Sequence, residues 1–355
     1  MPIQKIVECV PNFSEGRDRG VIDAIARSIQ ATAGVYLLGV DPGADANRTV
    51  YTFAGSPEAV LEAALAAART AYGLIDMARH SGEHPRMGAL DVCPFVPVSG
   101  ATMEDCVALS RNFGEALARE LGVPVYLYER SASSPARASL ADIRSGEYEG
   151  LRDKLGKAEW RPDFGPAAFV PRWGATAAGA REFLIAYNVN LDTRDAALAR
   201  GIAGAVRESG RVARDAEGRI VIDAEGRPLM VPGLLKAVRA IGWYLKSYRC
   251  AQVSVNLLDY RATPLHLVYD TVAAEARRLG VEARGSEIVG LVPLAALTEA
   301  GRHYLGAMAD AASERELVQA AVNAMGLDSV APFDPDRKIV EYALREAAAK
   351  QALLP

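Results

Sequence analysis

The chain has 355 residues, half of them hydrophobic and 24% charged, with a formal net charge of -4 at pH 7. That length and composition supply an adequate core for two domains of ordinary size and exclude disorder, while the small charge removes the electrostatic footprint of a nucleic-acid binder. No apolar window reaches the ~20 residues a membrane helix needs, no signal run precedes the first strand pattern, and Cys9, Cys93, Cys106 and Cys250 lack CxxC spacing, so the expectation is a cytoplasmic protein without zinc or disulfide frameworks.

In chain order, Lys5 to Val10 reads as a buried strand, and Ser14 is a plausible cap for an amphipathic helix from about Asp18 to Gln30. Gly34 to Val40 is the next strand, running into a polar loop at 41–47, and Arg48 to Ala54 alternates as a third. Ser56 and Pro57 start an Ala-rich helix to about Met77, and Ala89 to Val98 is the fourth strand. Strand, helix, strand, strand, helix, strand is a split βαβ order, which predicts an antiparallel or mixed sheet with helices on one face. A helix at about Met103 to Leu121 and a strand at Val123 to Tyr128 extend it, and 131–165 reads as a loose surface wrap.

The second half repeats the plan, with strands at 183–190, 235–245, 251–260 and 283–292 and helices at 195–208 and 264–279. Alternating residues between two Glu-Gly-Arg turns at 216–227 suggest an extra exposed hairpin, and the pattern from Leu294 onward is helical. The fold expected is therefore α+β, two ferredoxin-like subdomains plus C-terminal helices. The divisions expected are 1–180, 181–294 and 295–355.

Residues 79–98, Arg-His-Ser-Gly-Glu-His-Pro-Arg-Met-Gly-Ala-Leu-Asp-Val-Cys-Pro-Phe-Val-Pro-Val, concentrate the chemistry. Gly82, Pro85 and Gly88 forbid a continuous helix, so this is a polar loop delivered onto a strand. A loop histidine beside a carboxylate and an arginine is an acid-base candidate, although such side chains also brace turns. His80, Glu83 and His84 lack the helical HExxH arrangement, which argues against a metal site. There is no phosphate loop, no dinucleotide fingerprint and no nucleophile elbow. Gly165-Pro166-Ala167-Ala168-Phe169-Val170-Pro171-Arg172-Trp173-Gly174 offers backbone amides, stiffening prolines and two aromatic faces, which suits a flat heteroaromatic ring or a packed linker. His266 and His303 fall in expected helices, where an ordinary surface role prevails.

Residues 79–98, together with "VECVPNFSEGRD", "VDPGADANRTVYTFAG" and "FGPAAFVPRWGATAAGAREFLIAYNVNL", resemble the glutamate formimidoyltransferase (glutamate formiminotransferase) family over about residues 3–345. The resemblance implies transfer of a formimino group from N-formimino-L-glutamate to tetrahydrofolate, as co-substrate and without a metal, in histidine degradation. It implies His84 and Asp41 as the catalytic pair, the whole stretch Gly165 to Gly174 as the folate-binding segment, and a cytoplasmic homodimer with neither nucleic-acid nor membrane partners. Arg48 and Arg86 flank the same loops, and guanidinium groups suit the carboxylates of a glutamate derivative. The chain stops near Pro355, too early for the cyclodeaminase domain of the family's bifunctional enzyme, so a stand-alone transferase is expected. The rivals are a related enzyme acting between 5-formyltetrahydrofolate and glutamate, and a silent folate-binding paralogue.

Overall fold

A computed structural model describes residues 5–352 except 45, 83, 216, 246 and 247. The backbone clusters into two compact units that divide at Glu182/Phe183.

In the first unit, β1 (Ile6–Cys9) and β2 (Asn12–Phe13) form one strand line broken at Val10 and Pro11. Helix α1 (Arg19–Gln30) follows, capped by Asp18, whose carboxylate accepts from the Gly20 and Val21 amides. Ser14, the expected cap, is instead buried, and its hydroxyl donates to the Gly88 carbonyl. The hairpin of β3 (Val35–Gly43) and β4 (Arg48–Gly55) leads to α2 (Pro57–Leu74), then β5 (Leu90–Ser99) and α3 (Met103–Leu121). Helix α2 stops three residues before Met77, and a 3-10 turn takes over at Met77–Arg79. Next come β6 (Val125–Glu129), α4 (Leu140–Arg144), α5 (Glu147–Leu155) and β7 (Thr176–Ala180).

The sheet runs β3–β4–β1/β2–β5–β7–β6, antiparallel as far as β5 and parallel from there. One face is sealed by α1 through Ile22, Ile25 and Ile29, by the alanine stripe of α2, and by Phe113 and Leu117 of α3. Burying such a face is the main force holding the unit together. The expectation of helices on one face fails here. Ile143 of α4 and Leu151 and Leu155 of α5 pack with Val92, Tyr126 and Tyr128 in a second, smaller core, so 131–165 is ordered structure on the opposite face rather than a loose wrap.

The second unit opens with β8 (Ile185–Leu191) and α6 (Ala196–Val206), and an inserted ribbon carries β9 (Arg211–Val212) and β10 (Met230–Val231). Then follow β11 (Val238–Leu245), β12 (Cys250–Leu257), α7 (Leu265–Arg278) and β13 (Ala283–Val289). Their order, β11–β12–β8–β13 and antiparallel throughout, reproduces β3–β4–β1–β5 of the first unit. The helices from α8 (Leu294–Leu305) to Glu346 cluster with this unit rather than standing apart. No helix among the described residues is long and apolar enough to cross a membrane.

Candidate active site

The loop between the 3-10 turn and β5 is anchored residue by residue. Asn47, in the left-handed region at φ 47°, donates from its amide to the Ser81 carbonyl and accepts from the Gly16 amide. A Cβ on Gly82 would collide with the Ala46 carbonyl, so only glycine lets the loop lie against this turn. At the far end the Met87 amide donates to Asp91 at 2.9 Å, and Ala175 and Ala89 exchange backbone bonds with Met87 and Trp173.

Both ring nitrogens of His80 are engaged. Its Nε2 lies 2.8 Å from the Asn47 carbonyl, and Arg86 Nε donates to Nδ1 at 3.3 Å, which puts the ring proton on Nε2. Burial pushes its pKa below the usual 6.5. Arg86 is itself committed. It forks onto Glu149 at 2.8 and 2.6 Å and reaches Glu147 at 3.1 Å, so the clamp expected for a substrate carboxylate is occupied by two glutamates of α5. These side chains, with Ser81 and Gly82, line an open cavity of about 530 Å³.

His84 differs. Its Nδ1 sits 2.7 Å from the Pro85 carbonyl, an acceptor, so Nδ1 carries the proton and the lone pair of Nε2 has no partner among the described residues. Its pKa is lowered first by burial, then by the positive charge of Arg48 and more weakly of Arg144, against the Pro85 carbonyl and Asp91. The ring is therefore neutral at pH 7 and basic at Nε2. Glu83 lies outside the described residues.

Asp91, wholly buried, accepts from Arg48 Nη1 at 2.5 Å and Arg144 Nη2 at 2.6 Å. Arg48 Nε continues to Asn12 at 2.9 Å. Arg144 ends α4, and its position is fixed by Lys154, whose ammonium donates to the Asp142, Ile143 and Ser145 carbonyls. Burial pulls that lysine's pKa down to about 8. Asp41 belongs to β3, the sheet edge, rather than to a loop. It pairs with Val50 and Gly43 with Arg48, so Asp41 and Arg48 point to the same face, opposite α1, α2 and α3. Asp41 is exposed, and among the described residues no hydrogen bond or ion pair joins it to His84.

Segment 165–174 divides by accessibility. Gly165, Pro166, Ala167 and Ala168 are exposed, and Phe169 and Val170 are half-buried. Phe169 packs at 5.3 Å from the Tyr148 ring with the Arg152 guanidinium above it at 4.9 Å. Arg172 donates to the Tyr72 and Gly73 carbonyls at the end of α2. Trp173 is fully buried beside Tyr72, with its indole N–H on Thr176. Its ring is closed off from solvent in this structure, whereas Phe169 is half-buried. The residues missed there, Asn47, Glu149 and Arg144, left one faint sign, the close-packed Gly82.

Fold and site together define a duplicated α/β protein in which a loop imidazole, His84, lies near the buried cluster of Arg48, Asp91 and Arg144. The model of the formiminotransferase domain, N-terminal subdomain, matches residues 6–181, and that of the formiminotransferase domain matches 186–345. The chain belongs to the formiminotransferase domain family. It is 52% identical over 358 residues to a formimidoyltransferase-cyclodeaminase of Sus scrofa, covering 99% of this chain and 62% of that protein. It is 42% identical over 301 residues to a glutamate formimidoyltransferase of Streptococcus pyogenes serotype M1, covering 85% of this chain and 93% of that one. A glutamate formimidoyltransferase of Thermoplasma acidophilum is 43% identical over 302 residues, covering 84% and 92%. The chain thus spans less than two thirds of the longer relative and nearly all of the shorter ones.

Proposed function

We propose that this protein transfers the formimino group of N-formimino-L-glutamate to tetrahydrofolate, giving 5-formiminotetrahydrofolate and L-glutamate, a step of histidine degradation. The observation that carries the reading is His84, its pKa lowered by burial and its Nε2 without a partner among the described residues, in a chain so similar to proteins named for this transfer. N5 of the folate attacks the formimino carbon, forming a C–N bond and a tetrahedral intermediate. His84 Nε2 takes the proton from N5 and delivers it to the glutamate nitrogen, so that the second C–N bond breaks and the amine leaves neutral. Such a positioned acid-base group contributes ~10²- to 10⁴-fold.

The Pro85 carbonyl, rather than Asp41, orients the imidazole. Asp41 shares its sheet face with Arg48 and is itself exposed at the edge strand, which suits it to meet the positive charge of the bound formimino group. Protonation of the imino nitrogen activates the amidine carbon toward N5, and the transfer asks for no redox cofactor or metal. The exposed half of Gly165–Gly174 with Phe169 is the folate-binding surface in this reading. The order shared by both sheets fits the ferredoxin-like plan, and the protein is read as a cytoplasmic homodimer.

The test is formation of 5,10-methenyltetrahydrofolate after acid treatment of a reaction containing formiminoglutamate and tetrahydrofolate. A parallel reaction offers 5-formyltetrahydrofolate and glutamate. Faster transfer in the formyl reaction would replace the formimino reading with the formyl one.

A further inference from the structure

We propose that Arg144, from the segment that reads as surface wrap, joins Arg48 in binding a carboxylate of the donor and so sets specificity for a glutamate derivative. The inference rests on the formimino-transfer reading. Two guanidinium groups share a single carboxylate, Asp91, in a largely buried place, so among the described residues one positive charge has no counter-ion. Asp91 also accepts the Met87 amide, so its oxygens are well occupied. Among the described residues nothing accepts from Arg144 Nη1 or Arg48 Nη2, and Arg144 Nε is buried with no hydrogen-bond partner. Arg86, the other guanidinium near the loop, forks onto Glu149 instead. The unbalanced pair is therefore the place where an incoming carboxylate meets charge-assisted donors in low dielectric.

The position of the pair favours the donor. Residues 81–87, which carry His84, are tied at one end through Asn47, the neighbour of Arg48, and at the other through Met87 to Asp91. The base and the anion site thus share their anchors. In formiminoglutamate both carboxylates lie a few bonds from the transferred carbon, whereas in tetrahydrofolate the glutamate lies beyond a benzoyl ring from N5. A carboxylate held beside the His84 loop is the donor's.

Arg144→Gln should raise the KM for formiminoglutamate roughly tenfold to a hundredfold, the worth of one or two charge-assisted hydrogen bonds, while the KM for tetrahydrofolate stays within about twofold. Arg144→Lys, which keeps the charge and loses the fork, should fall between. Donors with each carboxylate in turn replaced by a carboxamide supply the sharper readout. Wild type should reject one of them, and Arg144→Gln should accept that one and formiminoglutamate alike. A lower Tm with unchanged donor KM, or a rise confined to the tetrahydrofolate KM, overturns the assignment and leaves the transfer reading intact. Calorimetry with L-glutamate separates the two claims. Glutamate binding that Arg144→Gln abolishes, in a protein without transfer activity, upholds the anion site and refutes the transfer reading.

Discussion

Replacing Asp91 by asparagine isolates the charge that holds the site together. The side chain has no exposure and accepts from two guanidinium groups and the Met87 amide, at 2.5, 2.6 and 2.9 Å. Asparagine keeps the shape and can still accept from Met87 through Oδ1, but its amide then meets both Arg48 and Arg144 donor to donor, because both donate to the other oxygen. Both arginines, largely buried, lose their counter-ion. Breaking one side of a buried ionic cluster costs about 3–5 kcal/mol, because the remaining charge stays desolvated and unpaired. For a unit of this size that lowers Tm by roughly 6–20 °C. Urea and thermal unfolding of Asp91→Asn measure it directly. Adding Arg144→Gln should then cost less than it does alone, because one of the stranded cations is removed. A loss under about 1 kcal/mol, or strictly additive effects, would refute the account of Asp91 as the common counter-ion.

The buried indole gives a stability prediction rather than a binding one. Trp173→Ala should destabilise by about 3–5 kcal/mol while Phe169→Ala raises the KM for tetrahydrofolate, and the reverse pattern would restore Trp173 as the stacking face. For pH, a lowered pKa keeps His84 in its basic form further into acid. The acid limb of kcat/KM should have its midpoint below 6.5, and a midpoint above that value would contradict the environment of the ring. Exhaustive chelation should leave turnover unchanged, because the His80 nitrogens are held by Asn47 and Arg86 and His84 Nδ1 by Pro85; activity lost and regained with zinc or iron would refute this.

The repeated strand-helix order was legible in the sequence because turn residues and apolar spacing are local signals: Ser56 sits where α2 begins, although α1 is capped by Asp18 and not by Ser14, which the fold buries. The loop of His80 and His84 was equally plain, since Gly82, Pro85 and Gly88 exclude a helix whatever surrounds them. What escaped depends on partners distant in sequence. Arg144 and Glu149 lie on short helices whose periodicity is too brief to register, and only the folded sheet brings them to Asp91 and Arg86. The accessibility of Trp173 is likewise a tertiary property, as an aromatic in a Gly- and Pro-rich stretch can face solvent or core. Asp41 shows the limit from the other side. Its Pro-Gly neighbours signal a loop, yet pairing with β4 carries the edge strand through to Gly43.

Turnover of His84→Ala, set against that of His80→Ala in the formiminoglutamate and tetrahydrofolate assay, tests the central claim most directly. The account predicts a fall of at least ~10²-fold for His84→Ala with folate binding, followed by fluorescence quenching, little changed, and a much milder loss for His80→Ala. Near-wild-type turnover in a folded His84→Ala protein, or the larger loss at His80, would contradict it.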